Sequence, residues 1–478
     1  MSVHTPPTLQ KLAIQTLVRE EALDMSDLEE MAHGLFPALF KEAFDGRHIK
    51  LIKALVIAWP FHCLPVGALM RTTDLETLQA VLDGVDIRRT IGFHPRKKLQ
   101  FLDLRNVHHS FWNIWTDSED SDYSAEILDE KKALQVRPRY ALRQRLKVRV
   151  DLCIRSCLDE AQTWFLKWAQ ERKGSLYFCC TKMKIWTLPV KALRHIFQVF
   201  DPEHIMELEL NTEWTLLELT HFATYFGQKR NPHKVFLAPL HKIDFHLPNR
   251  TRVTEFKCIN KFASQFSKFN CLQQIFMFMF LRSHMNQVLG YLMTPLKTLS
   301  ITYSLVSQRD LDSFACCQSL FQLKHLELRG VVLLDLDLMP LRGLLMKVAG
   351  TLETLDLQGC RMKDSQLSVL LPAFKQCSQI SNINFYNNEF SMPFLKVLLQ
   401  HTANWSKMNV EQYPAPLECY DEFAQVSVER FARLCQDLMD TLRAIRQPKN
   451  SSFATDICHT CGERWVFDQV ANLCPCWQ

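Results

Sequence analysis

LKTLSI at 296–301, LKHLEL at 323–328, LETLDL at 352–357, ISNINF at 380–385 and WSKMNV at 405–410 repeat one pattern, apolar-x-x-apolar-x-apolar, within a single stretch of chain. The middle apolar residues, Leu299, Leu326, Leu355, Ile383 and Met408, follow one another at nearly even intervals. Their spacing matches the period of leucine-rich repeats, in which one short strand and one helix make each unit. Alternation about the second and third apolar positions predicts the strand, and the segments that follow, such as 340–348 and 364–371, carry helical spacing. Single matches to such a pattern are common in an apolar chain; five in succession at near-constant spacing are not. The predicted fold class is α/β, a leucine-rich-repeat solenoid: a horseshoe with parallel strands on its concave face, helices outside, and helical caps at both ends.

The pattern runs upstream through Leu99/Leu102/Leu104, Ile205/Leu208/Leu210, Val235/Leu237 and Leu272/Ile275/Met277. It places the solenoid at 95–416, behind a helical N-terminal cap at 1–94 and ahead of a capping helix at 417–447 and a cysteine-rich tail at 448–478. The step from Val235 to Ile275 is half as long again as the one before it, from Leu208 to Val235. The excess predicts an insertion near 239–257, where Pro239, Pro248 and Asn249 cluster. A second insertion, near 117–145, is acidic in its first half and basic in its second. The basic half could serve nuclear import or touch phosphates, but it lacks interleaved aromatics for stacking on bases, and a solvated loop is the plainer reading.

The bulk properties narrow the function. Of the 478 residues, 47% are apolar and 22% charged, as in a soluble folded protein, and the net charge of +5 gives no global argument for nucleic acid. The longest apolar run, Ile275 to Leu281, is too short to span a bilayer, and no signal peptide is recognised at the start. No membrane association is expected, and the expected location is the cytoplasm or nucleus. There the seventeen cysteines would stay as thiols or metal ligands, and the Asn-x-Ser/Thr matches at Asn249, Asn404 and Asn450 would be accidental.

Near the start, Leu9, Ala13 and Leu17 form Leu-x3-Ala-x3-Leu on a predicted helix, a knob beside a hollow on one face. Phe36, Pro37, Phe40 and Phe44 follow as apolar-Pro-x-x-apolar-x3-apolar. These strings resemble the elongin-binding box and the cullin-2 box of ubiquitin-ligase substrate receptors, although Ala13 stands where the general elongin box has Cys. A packed cap helix would carry the same spacing.

EAFDGRH at 42–48, AWPFHCLPVG at 58–67, AVLDGVD at 80–86, KLQFLDLR at 98–105, FWNIW at 111–115, CCTK at 179–182 and QYPAP at 412–416 resemble the PRAME family (preferentially expressed antigen in melanoma) from one end of the chain to the other. The resemblance implies a leucine-rich-repeat protein that is not an enzyme. Members of the family include substrate receptors for cullin-2 RING ubiquitin ligases and repressors of transcription. The implied partners are elongins B and C, a cullin-2-type scaffold and an unknown protein substrate. The alternative is a corepressor scaffold that regulates differentiation, proliferation and apoptosis without ubiquitin machinery.

Strand alternation turns Phe236, Phe276, Phe278, His325, Glu327, Arg329, Asp356, Asn384 and Tyr386 to the inner surface, a mixture suited to protein recognition and without a single-sign field for nucleic acid. No Walker loop, dinucleotide fingerprint, zinc-protease helix or nucleophile elbow is present, so no catalytic residue is assigned. Three Leu-x-x-Leu-Leu strings, at 341–345, 367–371 and 395–399, fall at one phase of the repeat, where a solenoid helix needs core leucines. In the tail, Cys458-x-x-Cys461-Gly and Cys474-x-Cys476 predict one structural zinc, although the second pair is tighter than the usual knuckle.

Overall fold

The computed structural model describes residues 9–20, 25–70, 74–91, 99–107, 111–112, 145–155, 157–200, 202–212, 214–228, 232–238, 249–280, 284–423 and 425–477, and strand and helix alternate through most of them. They form two compact units. One comprises residues 1–152, 157–182 and 195–204, the other 153–156, 183–194 and 205–478.

The first unit opens with helices α1 (Leu9–Glu20), α2 (Met25–Glu30), α3 (Phe36–Asp45) and α4 (Ile49–Ala58). Strand β1 (Cys63–Leu64), helix α5 (Leu75–Ile91), strands β2 (Phe101–Asp103) and β3 (Lys147–Ile154) and helix α6 (Glu160–Arg172) follow. Strand pairing is already parallel at β1, with Leu64 beside Leu102 and Leu102 beside Val148, so the repeat geometry begins upstream of the position near 95 that the leucine pattern suggested. An aromatic core explains why: Trp59 packs edge-on against Phe36, Phe40 and Phe61, and Trp112 stacks on Phe40 at 5.6 Å. Both indoles find acceptors, Trp59 in the Cys63 carbonyl at 2.9 Å and Trp112 in the Pro65 carbonyl at 3.0 Å, which meets the usual need of a buried ring N–H. Gly67 has no room for a side chain, because a Cβ there would lie 2.2 Å from the Leu104 backbone. On the outer side, Asp86 of α5 accepts from the Trp168 indole at 2.9 Å and from Arg172 at 2.7 Å, tying α5 to α6.

Strand β3, through Cys153 and Ile154, strand β4 (Tyr177–Trp186) and helix α7 (Val190–Val199) contribute residues to both units. The second unit then continues as β5 (Glu207–Asn211), α8 (Leu216–Phe226), β6 (Lys234–Leu237), α9 (Asn249–Ala263), β7 (Gln274–Phe278), α10 (Met285–Gly290), β8 (Thr298–Thr302) and α11 (Gln308–Cys316). It runs on through β9 (His325–Glu327), α12 (Met339–Lys347), β10 (Thr354–Asp356), α13 (Asp364–Phe374), β11 (Asn382–Asn384), α14 (Met392–His401), β12 (Val410–Pro414), α15 (Val428–Ile445) and β13 (Asn450–Ala454). Strands β5 to β13 pair in parallel, each with the next, in one register: Leu208, Val235, Ile275, Leu299, Leu326, Leu355 and Ile383 stand side by side and are all buried. This is the leucine-rich-repeat solenoid that the period implied. The leucines of the three Leu-x-x-Leu-Leu strings are buried on α12, α13 and α14, as scaffold.

The register departs from expectation in the fifth repeat. The residue beside Ile383 is Glu411, not Met408, so the step equals the one from Leu355 to Ile383 and Met408 takes the place of Ile380. Glu411 is 1% exposed, next in the row after seven aliphatic side chains and beside Ser451 of β13, and it is fully provided for. It accepts from Ser451 Oγ at 2.7 Å, from the Tyr413 hydroxyl at 2.9 Å and from the Arg446 guanidinium, which also donates to Thr402.

Helix α15, expected as the closing cap, is followed by one more parallel strand, β13, and then by β14 (Val466–Phe467) and β15 (Ala471–Asn472), which pair antiparallel and end the stack. The insertion near 117–145 and residues 239–248 of the other lie outside the described residues; from Asn249 onward the second insertion is helical. Among the described residues, no helix is long and apolar enough to cross a membrane.

The turn after each strand repeats as closely as the strand. Met279, Tyr303, Gly330, Gly359 and Asn387, which hold the same place just beyond the central buried position of their strands, all have φ between +46° and +69°. Glycine is the easiest occupant of that conformation. At Gly330 it is required twice over, since a Cβ there would lie 2.6 Å from the Tyr303 ring.

Candidate docking surfaces and a thiol cluster

Helix α1 is amphipathic in an unusual sense, since both of its faces carry aliphatic residues. Ile14 and Val18 are buried and hold it to the first unit. On the opposite side Leu9 is 87% exposed, Leu12 46% exposed, Ala13 exposed and Leu17 half-buried. Leu9, Ala13 and Leu17 are spaced four apart and therefore line one stripe of the helix surface, with the small residue leaving a hollow between two long ones.

The second string behaves differently. Phe36, Pro37 and Phe40 are buried, with Phe36 and Phe40 locked against Trp59; only Phe44 is half-exposed, with its ring 6.0 Å from that of Phe40. Pro37 sits in the first turn of α3, where its missing N–H leaves no hydrogen bond unmade. Read as a partner-binding box, this string loses three of its four side chains to the core.

In the second unit the strand faces carry a graded surface. Phe236 and Phe276 stand in register on β6 and β7 and stack at 6.4 Å, with Lys234 lying 5.0 Å over the Phe276 ring. Phe278 meets Tyr303 edge-on at 5.9 Å. Met279 and Tyr303, 54% and 57% exposed, extend this apolar strip. Sequence alternation missed them because they lie just past their strands; the signal is a large apolar residue at the left-handed turn position.

Farther along, the surface is polar and cross-linked by its own hydrogen bonds. Ser300 Oγ donates to Glu327 at 2.7 Å, Arg329 reaches Asp356 at 2.7 Å, and Asn384 donates to Asp356 at 3.2 Å and to Gln358 at 2.9 Å. His325 Nδ1 is 3.1 Å from Thr354 Oγ1. Asp356 is buried and acts through Arg329, which keeps a partly exposed guanidinium. Tyr386 does not offer itself: it is 6% exposed, bonded to Ser452 Oγ at 2.6 Å and covered by the Arg464 guanidinium 4.7 Å over its ring. Burial raises its phenol above the usual range.

At the end of the chain, Cys458, Cys461, Cys474 and Cys476 bring four thiol sulfurs within 4.8 Å of one another. The Cys458 thiol is lowered to about 6, chiefly by hydrogen bonds from the backbone N–H groups of Cys461 and Thr460. This is the one grouping among the described residues in which metal-binding side chains converge.

Comparison with known proteins agrees with the arrangement in sequence. Residues 6–112 match the model of the PRAME N-terminal domain, and residues 146–476 match that of the PRAME C-terminal domain. Human PRAME family member 12 is 41% identical over 478 residues, covering 99% of this chain and 98% of its own length. Human PRAME family member 8 is 40% identical, with both chains covered completely, and mouse preferentially expressed antigen in melanoma-like protein 7 is 39% identical, with 99% of each covered. Among solved structures, a leucine-rich repeat-containing protein from Legionella pneumophila, LegL7, superposes with a TM-score of 0.34 at 13% identity, over 66% of this chain and 92% of that one.

Proposed function

Since the chain belongs to the PRAME family, we propose that it is a substrate-recognition subunit of a cullin-2-type RING ubiquitin ligase, acting in the cytoplasm or nucleus. In this reading elongins B and C dock on the outward stripe of α1, and a protein substrate is held on the strand face of the second unit. The chain supplies no chemistry of its own, because bringing a substrate near the transfer machinery raises its effective concentration.

The observation that carries the reading is the stripe of exposed Leu9 and Ala13 and half-buried Leu17 on a helix already anchored by Ile14 and Val18. Helix-in-groove recognition uses outward apolar residues at this spacing directly. On the substrate side, Phe236, Phe276, Phe278, Met279 and Tyr303 offer an aromatic and methionine strip beside the Arg329 guanidinium, the side chains that commonly dominate protein–protein binding energy.

The decisive experiment is co-purification of full-length protein with elongins B and C and with the cullin. The expected outcome is elongin recovery by the wild type and its loss with Leu9→Ser combined with Ala13→Arg. Equal recovery by wild type and variant would refute the proposal. One observation favours the second reading, a corepressor scaffold without ubiquitin machinery: Phe36, Pro37 and Phe40 are packed inside rather than presented to a cullin. Under that reading the elongin and cullin fractions are empty for wild type and variant alike, while nuclear partners still depend on the Phe276 and Tyr303 strip.

A further inference from the structure

We propose that the C-terminal end of the solenoid is closed by one structural zinc ion, bound by the thiolates of Cys458, Cys461, Cys474 and Cys476. The first pair lies in the connection between β13 and β14, and the second immediately follows β15. The antiparallel meander Asn450–Ala454, Val466–Phe467, Ala471–Asn472 thus returns both pairs to the same place, and the four sulfurs lie within 4.8 Å of one another. A tetrahedral zinc with Zn–S bonds of about 2.3 Å needs sulfurs about 3.8 Å apart, so a contraction of no more than about 1 Å completes the site.

The backbone is already shaped for it. Gly462, directly after the first pair, has φ of +75°, and its N–H donates to the Cys458 carbonyl at 2.9 Å, while the Cys458 N–H donates to the Glu463 carbonyl at 2.7 Å. This is the tight turn by which a Cys-x-x-Cys-Gly sequence aims two sulfurs at one point. A second observation points to a ligated sulfur: the indole N–H of buried Trp465 is directed at Cys474 Sγ, at 3.4 Å. Donors of this kind orient metal-bound thiolates and offset their charge. Binding forms four Zn–S bonds and releases four thiol protons to solvent, leaving a centre of net charge 2−. With four protein ligands the coordination is complete, which makes the role structural.

The site matters because of what rests on it. Trp465 packs edge-on against Phe431 of α15 at 5.8 Å, and Phe467 meets the same ring at 6.4 Å. A terminal repeat must cover apolar surface that interior repeats hide against a neighbour. Here the cover is a meander whose two later strands have two residues each, too short to be stable alone. The metal supplies the cross-link that such a short element lacks, as in small zinc domains whose folding depends on the ion.

Full-length protein prepared without a metal-affinity tag and under reducing conditions is expected to contain about one zinc per chain. Cys461→Ser and Cys476→Ser should each lose it, whereas Cys316→Ser, at an exposed cysteine of α11, should keep it. Because a ligand variant could simply misfold, cobalt exchange into the wild type gives a second measurement: the intense sulfur-to-metal charge-transfer bands and visible d–d bands of a tetrahedral four-thiolate site are expected. A wild-type chain that is metal-free, shows no cobalt–thiolate bands, and melts at the same temperature with and without a strong chelator would overturn the proposal. So would an intact mass four hydrogens lighter, which would assign the cluster to two disulfides. None of these outcomes bears on elongin recovery, so the two proposals fail separately.

Discussion

Helices α1 and α3 carry the same kind of signal in sequence, apolar residues at four-residue spacing, and the fold treats them in opposite ways. In α3 the spacing is consumed internally: Phe36 and Phe40 meet Trp59, and Phe40 also meets Trp112. In α1 the anchoring is done by Ile14 and Val18, so Leu9 and Ala13 are left outside and Leu17 half-buried. Helical periodicity identifies a stripe but not what covers it; the difference lies in whether a neighbouring element brings a complementary surface. For α3 that neighbour is a pair of tryptophans, Trp59 and Trp112; for the outer stripe of α1 the proposed neighbour is elongin.

The sharpest way to break the comparison is Phe40→Ala, which should destabilise the first unit by about 3–5 kcal/mol through the lost burial and the cavity left beside two indoles. Thermal or urea unfolding reads the effect, and a change below about 1 kcal/mol would mean that α3 is not a core element. Next, Ile14→Ala should weaken the seat of α1 by about 2 kcal/mol. Hydrogen exchange should then rise over residues 9–20 with little change in α3 and α4; uniform exchange over all three would show that α1 is integral to the core. The smallest effect on stability belongs to Leu9→Ser with Leu12→Ser, expected to lie within about 0.5 kcal/mol of wild type because Leu9 is already in water and Leu12 nearly half so. That double variant should nonetheless lose elongin, so a silent melting curve beside an empty pull-down separates docking from folding.

Much of the architecture was legible because burial at one position per repeat leaves an aliphatic residue at near-constant spacing from Leu299 through Leu326 and Leu355 to Ile383. The pattern fails at Glu411, where a carboxylate stands in the aliphatic row and its guanidinium partner, Arg446, comes from the C-terminal end of α15, a pairing that periodicity does not encode. The inner-face residues were found by alternation, but not their fates. Tyr386 is covered by Arg464 from the tail, and Asp356 is buried as the anchor of Arg329. Met279 and Tyr303 escaped notice because they belong to turns, and only backbone geometry shows that those turns repeat. The four tail cysteines were legible from spacing, while their convergence depends on a strand meander of which two strands are too short to read from sequence.

The buried Glu411 also bears on how the chain finds its register. Units that share one apolar pattern and stack in one dimension leave room for threading errors, in which a strand docks one repeat early or late with its apolar positions still matched. Glu411 makes one rung unlike every other, since only there do Arg446, Ser451 and Tyr413 surround a carboxylate. A slip by one unit would bury that charge against leucine at a cost of several kcal/mol and leave Arg446 unpaired. The ion pair thus works as an index mark, telling an otherwise repetitive chain which rung is the last but one before the stack must end.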